Sequence, residues 1–199
     1  MFYILCQNTF KVRKEGCKIK NTVEPIRSRV KIRLVEQYLA QTSIRDKLIF
    51  DLGINSGLRV SDILGLDVKD VKNKTHVEIK EKKTGKYKRF PLNRKMTKLL
   101  KEYTRECEIE DPLFMSIRNK RLDRSQVYRK INEACRAVGI GGNIGTHTMR
   151  KSFGYHHYKK YKDVAMLQLI FNHSTPNITL RYIGIDQDEI DDSYKHFEL

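Results

Sequence analysis

The sequence predicts a mostly α-helical domain carrying one small antiparallel β-sheet, an α+β architecture. Apolar residues recur at helical spacing through most of the chain beyond Pro25, whereas polar–apolar alternation marks His76 to Lys80 and Tyr87 to Leu92, on either side of a short turn. The chain has 199 residues, 39% of them hydrophobic, with ten Tyr, eight Phe and no Trp. That is enough for a single globular core.

Each element has its own signal. Val30, Leu34 and Tyr38 recur at i, i+4 and i+8 and predict a first helix; Ile44, Leu48, Ile49 and Leu52 predict a second, with Ser43 as its N-cap and Asn55-Ser56-Gly57 as its end. Val60 to Leu66 reads as a short helical segment bounded by Gly65, with Arg59 at its start. Lys83, Thr84, Gly85 and Lys86 lie between the alternating stretches and form the basic tip of a hairpin. Leu92, Met96, Leu99, Leu100, Tyr103 and Cys107 predict an amphipathic helix closed by Asp111 and Pro112. Val127, Ile131, Ala134, Cys135 and Val138 predict the next, starting at Ser125 and stopped by Gly139. Gly141, Gly142 and Gly145 form a flexible lead into His147. A helix through Tyr158, an apolar helix from Val164 to Phe171, a loop over Asn172 to Asn177 and a short helical stretch carrying Tyr182 complete the pattern.

Residues 1–23 are basic and weakly periodic and are expected to be a poorly ordered appendage; residues 24–199 form the main domain. Within it, 186–199 is an acidic tail, holding Asp186, Asp188, Glu189, Asp191, Asp192 and Glu198 against Lys195 alone. Ile190, Tyr194 and Phe197 form a small apolar stripe there, which a short helix buries only against something else, such as another protomer.

Lys and Arg number 40 against 24 Asp and Glu, a net charge of +16, and the acidic tail concentrates still more positive charge in the rest. Such a balance points to a polyanionic partner. No apolar run reaches the roughly 18 to 20 residues of a membrane span. Phe2 to Cys6 lacks the flanks of a secretory signal, so an intracellular protein is expected. Cys6, Cys17, Cys107 and Cys135 show no CxxC pairing, which indicates neither a zinc knuckle nor a disulfide framework. Cys107 and Cys135 read as small core residues.

Phosphodiester cleavage without a metal requires a nucleophile, fixed cations around the non-bridging oxygens and an acid for the leaving oxygen. The chain holds these parts in order. Arg59 lies in Gly57-Leu58-Arg59-Val60-Ser61-Asp62, Lys83 at the hairpin tip, His147 and Arg150 in His147-Thr148-Met149-Arg150, and His173 stands nine residues before Tyr182.

This order and spacing resemble the tyrosine recombinases, or phage integrase family, over residues 25–199, and within it the integrases of Gram-positive mobile elements. The resemblance implies the family's DNA breaking and rejoining fold and an enzyme that cleaves and religates DNA. In it Tyr182 attacks the scissile phosphate to give a 3′-phosphotyrosine and a free 5′-hydroxyl. Arg59 and Arg150 clamp the phosphate, where lysine would fail. Lys83 protonates the leaving oxygen. His147 helps accept the tyrosine proton, His173 donates a hydrogen bond to the phosphate, and Asp62, three residues beyond Arg59, orients its guanidinium. The resemblance implies no cofactor, neither metal nor ATP, and a double-stranded DNA partner at attachment or recombination sites. It further implies a homotetramer assembled on that DNA, in the cytoplasm of a bacterial cell, with the acidic tail docked in trans. Two features depart from the pattern. Phe171-Asn172 replaces the usual Leu-Gly before the second histidine, and residues 1–23 are too short for the core-binding domain that family members usually carry.

Blander readings stand beside these. Lys80, Lys82, Lys86 and Lys88 crowd the hairpin, and a basic strand edge also guards against aggregation. Tyr155, Tyr158 and Tyr161 read as packing or backbone contacts. A type IB topoisomerase shares the phosphotyrosine chemistry without exchanging partners. A non-catalytic DNA-binding module explains the charge but not the ordered set of six residues.

Overall fold

The central element is a helix that has almost no exposed side. In the computed structural model, which describes residues 22–185 and 194–197, α2 (Ile44–Ser56) buries Leu48, Ile49, Phe50, Leu52 and Gly53 together with Asp51. A helix of this kind must meet protein all round. It touches α1 (Arg29–Thr42), α3 (Val60–Ile63), α4 (Arg94–Tyr103), α5 (Arg124–Ala137) and α6 (Thr148–Tyr161). Asp51 is tolerated there because Lys47 and Lys95 pair with it. Two further helices, α7 (Val164–Phe171) and α8 (Pro176–Ile183), pack on each other and on α6. The predicted class, mostly α with one small antiparallel sheet, is the observed one.

Local signals set most boundaries. Ser43 serves two helices, its N–H donating to Leu39 O of α1 and its hydroxyl accepting from Asp46 N of α2. Gly57 and Gly139, both at positive φ, end α2 and follow α5 as expected. The strands β1 (His76–Lys80) and β2 (Tyr87–Pro91) pair antiparallel with Val77 opposite Phe90 and Ile79 opposite Lys88. Val77, Ile79, Lys88 and Phe90 thereby share the covered face.

Three sequence expectations shift. On α1 the covered stripe is Ile32, Val35 and Leu39, while Val30 and Leu34 are exposed and Tyr38 sits half-buried at the edge, its hydroxyl donating to Glu133 of α5. Both stripes satisfy helical spacing, and the packing of α1 on α2 and α5 selects between them. Helix α5 starts at Arg124, one residue before the expected Ser125, with Asp123 as its N-cap. The Asp123 side chain accepts from Gln126 N while the Gln126 side chain accepts from Asp123 N, a reciprocal pair, and Asp123 also accepts from Ser125 N. Helix α4 stops at Tyr103, where the Thr104 hydroxyl donates to Leu100 O and the chain turns; Cys107 lies beyond it, half-buried, and Cys135 is fully buried.

A large apolar core lies around α2, and a smaller one joins Leu167, Phe171, Ile183 and Ile185 with Phe153, Tyr158 and Tyr182. Helix α6 reaches both, through Met149 and Phe153. The chain before α1 is tied down by Glu24 N donating to Asn143 O and Ile26 N to Ser152 Oγ, and Gly145, expected in a flexible lead, is buried against Val23. The expected appendage, apart from Thr22 and Val23, lies outside the described residues, as does most of the acidic tail; Tyr194 and Phe197 are described and exposed. No helix among the described residues is long and apolar enough to cross a membrane.

Gly154 lets α6 approach α7 and α8, since a Cβ there would lie 2.6 Å from Ile183 Cγ2 and 2.7 Å from the Phe171 ring. Alanine gains about 1 kcal/mol of helix preference, against an overpacking cost of about 1–3 kcal/mol. Gly154→Ala is therefore expected to lower stability in urea denaturation; a more stable variant would contradict this packing.

Candidate active site

Helix α6 begins with Thr148, and His147 occupies its N-cap position. One turn in, Arg150 points into the protein and is only 2% exposed. Its guanidinium donates to the carbonyls of Gly57 and Phe171 and stacks on the Phe171 ring, 4.3 Å from its centroid. Gly57 is required there, because its φ is +63° and a Cβ would strike the Phe153 ring at 2.5 Å.

Two residues beyond Gly57, Arg59 stands at the N-cap position of α3. Its Nη1 lies 3.0 Å from Glu81 Oε2 and 3.9 Å from Asp62 Oδ2. The nearer carboxylate on Arg59 is thus Glu81. Asp62, expected to orient this guanidinium, accepts the backbone N–H of Lys82 through Oδ1 at 3.0 Å and so anchors the hairpin. Glu81 is buried; its Oε2 also accepts from Thr84 Oγ1 at 2.7 Å and from Asn172 Nδ2 at 3.2 Å. Burial acts to raise its proton affinity, but the Thr84, Arg59 and Asn172 contacts outweigh burial and hold the carboxyl below its ordinary value. Lys83 is exposed at the tip.

Lys88 is not part of a solvated basic edge. It turns inward, donates to Ile170 O at 3.1 Å, and has its pKa pushed down to about 8 by burial, then by the Arg150 charge. Lys88 and Arg150 thus hold two consecutive carbonyls at the end of α7, where Asn172 takes the left-handed conformation (φ 53°) that the usual glycine would adopt freely.

Helix α8 is launched by Thr175 as N-cap with Pro176 in its first turn. It carries Tyr182 so that the hydroxyl is 3.1 Å from His147 Nδ1. Its ring meets Phe171 and His173 edge-on, with centroids 5.5 and 5.2 Å apart. Burial raises the phenol's pKa, opposed by the charges of Arg150 and Arg59. His147 is lowered by burial and then by Arg150, Lys151, Arg59 and Lys83. A neutral imidazole can therefore receive the phenol proton at Nδ1. His173 is pushed down to about 4 by burial and then by Arg150 and Arg59. Its Nδ1 is 3.0 Å from Thr179 Oγ1, while that hydroxyl is 3.4 Å from Thr175 O. That hydroxyl donates to Thr175 O and ties the His173 ring to the first turn of α8.

The structure gathers Arg59, His147, Arg150, His173 and Tyr182 into one cluster, with Lys83 on the adjoining hairpin tip close enough for its charge to act on His147. Sequence reading missed Glu81, Lys88 and Thr179. Glu81 and Lys88 had a signal, since strand alternation puts them in phase with Val77, Ile79 and Phe90 on the covered face; Thr179 had none beyond being a hydroxyl six residues after His173.

Comparison with known proteins accords with this arrangement. The sequence model of the phage integrase family matches residues 28–189. The chain belongs to the phage integrase family. A probable integrase/recombinase, YoeC of Bacillus subtilis strain 168, is 48% identical over 176 residues, covering 88% of this chain and 97% of that one. This integrase-family chain also matches tyrosine recombinases XerC and XerD, spanning about half of their length. The crystal structure of XerA recombinase superposes with a TM-score of 0.72 at 20% identity, over 89% of this chain and 66% of that one. That of XerH site-specific recombinase bound to palindromic difH substrate, a post-cleavage complex, gives 0.71 at 20% identity over 88% and 54%. At those identities the likeness establishes the fold, that of a tyrosine recombinase catalytic domain.

The electrostatics of the cluster are measurable without substrate. In a histidine NMR titration, His173 is expected to stay neutral down to about pH 4, and His147 to titrate below the ordinary 6.5. Ordinary titration of both would show that neither burial nor the cations act on them.

Proposed function

We propose that this protein is a site-specific recombinase or integrase that cleaves and rejoins double-stranded DNA through a 3′-phosphotyrosine intermediate. The observation that carries the reading is the Tyr182 hydroxyl held 3.1 Å from His147 Nδ1 beside buried Arg150. A phenol ordinarily titrates near 10 and burial raises Tyr182 further, so it becomes a nucleophile only as a base takes its proton, which His147 is placed to do while the Arg150 and Arg59 charges oppose the effect of burial. The Tyr182 oxygen attacks phosphorus as its proton passes to His147, and the bond from phosphorus to the 5′-oxygen breaks as Lys83 supplies a proton to that oxygen. Arg59 and Arg150 hold the non-bridging oxygens, with His173 as a further donor. The phosphotyrosine conserves the phosphodiester bond energy, so attack by a 5′-hydroxyl of another strand reseals DNA without ATP or a metal. Four such subunits assembled on DNA would exchange a pair of duplexes. DNA binding draws on the +16 charge through phosphate contacts and weakens with salt.

The test uses a randomised pool of nicked duplexes in which cleavage releases a short strand and traps the enzyme on its 3′ end. Wild type is expected to give an SDS-resistant adduct that Tyr182→Phe abolishes. Wild type that binds the pool without forming an adduct would overturn the reading, and relaxation of supercoiled plasmid without strand exchange would transfer it to a topoisomerase. Because His147 must be neutral and burial and its cationic neighbours lower its pKa, the acid limb of cleavage is expected to lie below the ordinary histidine value of 6.5. Cleavage at subsaturating DNA reports the free protein, and an acid limb at or above 6.5 there would remove His147 as the base.

A further inference from the structure

Three candidate catalytic residues sit on three separate segments: Arg59 after the α2–α3 turn, Lys83 at the hairpin tip and His173 after α7. One buried carboxylate touches all three segments. Glu81 Oε2 lies 3.0 Å from Arg59 Nη1, 2.7 Å from Thr84 Oγ1 next to Lys83, and 3.2 Å from Asn172 Nδ2 next to His173. We infer that Glu81 is a positioning residue for strand cleavage, its one oxygen fixing Arg59, the Lys83 tip and the His173 turn relative to one another. The inference rests on the recombinase reading above.

The hairpin is built to keep Glu81 in place. The backbone of Glu81 closes the tip, its N–H donating to Lys86 O and its carbonyl accepting from Gly85 N at 2.9 and 2.8 Å, while the next N–H, that of Lys82, is held by Asp62. Glu81 takes one terminal nitrogen of Arg59, and a guanidinium retains its remaining donors for a phosphate. Asn172 adds a link that this chain has and a glycine could not supply. Its left-handed backbone points the amide at the same oxygen that Arg59 approaches, so the turn before His173 is referenced directly to the arginine. Small misplacements of reacting groups cost large factors in rate. A carboxylate that sets three placements should therefore act on the rate of cleavage and leave DNA affinity alone.

Glu81→Gln keeps the shape and an acceptor oxygen but removes the charge facing Arg59. Asn172→Gly removes only the amide, at a φ that glycine accepts without strain. Both are compared with wild type on a suicide duplex recovered from the adduct pool, measuring the single-turnover rate at saturating protein, the apparent Kd and the melting temperature. The expected result is a cleavage rate at least tenfold lower for Glu81→Gln and about threefold lower for Asn172→Gly, with Kd as in wild type and both variants fully folded at the assay temperature, Glu81→Gln melting at a lower temperature because Arg59 loses its buried partner. In the double variant the two losses should combine to less than their product, as for residues sharing one contact. Glu81→Gln cleaving at the wild-type rate or faster would overturn the inference while leaving the recombinase reading intact. A deficit matched by loss of folded protein or of DNA binding would also overturn it, reducing Glu81 to a structural residue. Wild type that forms no adduct overturns both.

Discussion

The architecture of the site depends on one buried cation. Arg150 is 2% exposed, and its guanidinium spans from the carbonyl of Gly57 to that of Phe171 across the face of the Phe171 ring. An isolated charge there would be prohibitive. Two backbone acceptors and an aromatic face make it tenable, and breaking a buried charged contact of this kind costs roughly 3–5 kcal/mol. Its reach also sets a distance. Arg59 follows Gly57 by two residues and His173 follows Phe171 by two, so the arginine that joins the two carbonyls also fixes the separation of two further polar groups.

Around that cation the fold does little more than bring segments to a common point. Helix α6 contacts both apolar clusters, α8 is short and closed by left-handed Gly184, and the hairpin is held at its tip by Asp62 and at Lys88 by the end of α7. Substituting lysine for Arg59 or Arg150 would retain charge and lose the fork geometry on which these placements rest.

What was legible in the sequence was local. The Ser43 cap, the Gly57 and Gly139 stops, the two hairpin strands and the apolar helix over Val164–Phe171 each depend on a few neighbouring residues, and each is found where periodicity and turn chemistry put it. The ordered polar set was legible because its spacing is distinctive. The covered face of α1 was not, since Val30, Leu34 and Tyr38 match helical spacing as well as Ile32, Val35 and Leu39, and only the neighbouring helices distinguish them. Glu81 and Lys88 were hidden for a related reason. Their partners come from distant parts of the chain, and a charged residue on a basic hairpin reads as solvated until its strand is seen to be covered.

The permanent charges of Arg59 and Arg150 leave the titratable groups beside them with few protons to offer. His147, His173 and Lys88 all bind hydrogen ions less readily than they would in water, because burial and the neighbouring guanidiniums oppose a further positive charge. An anion placed among them weakens that local field. By linkage its arrival raises the basicity of all three together, so that anion binding and proton uptake become a single thermodynamic event, with the buffer supplying the difference.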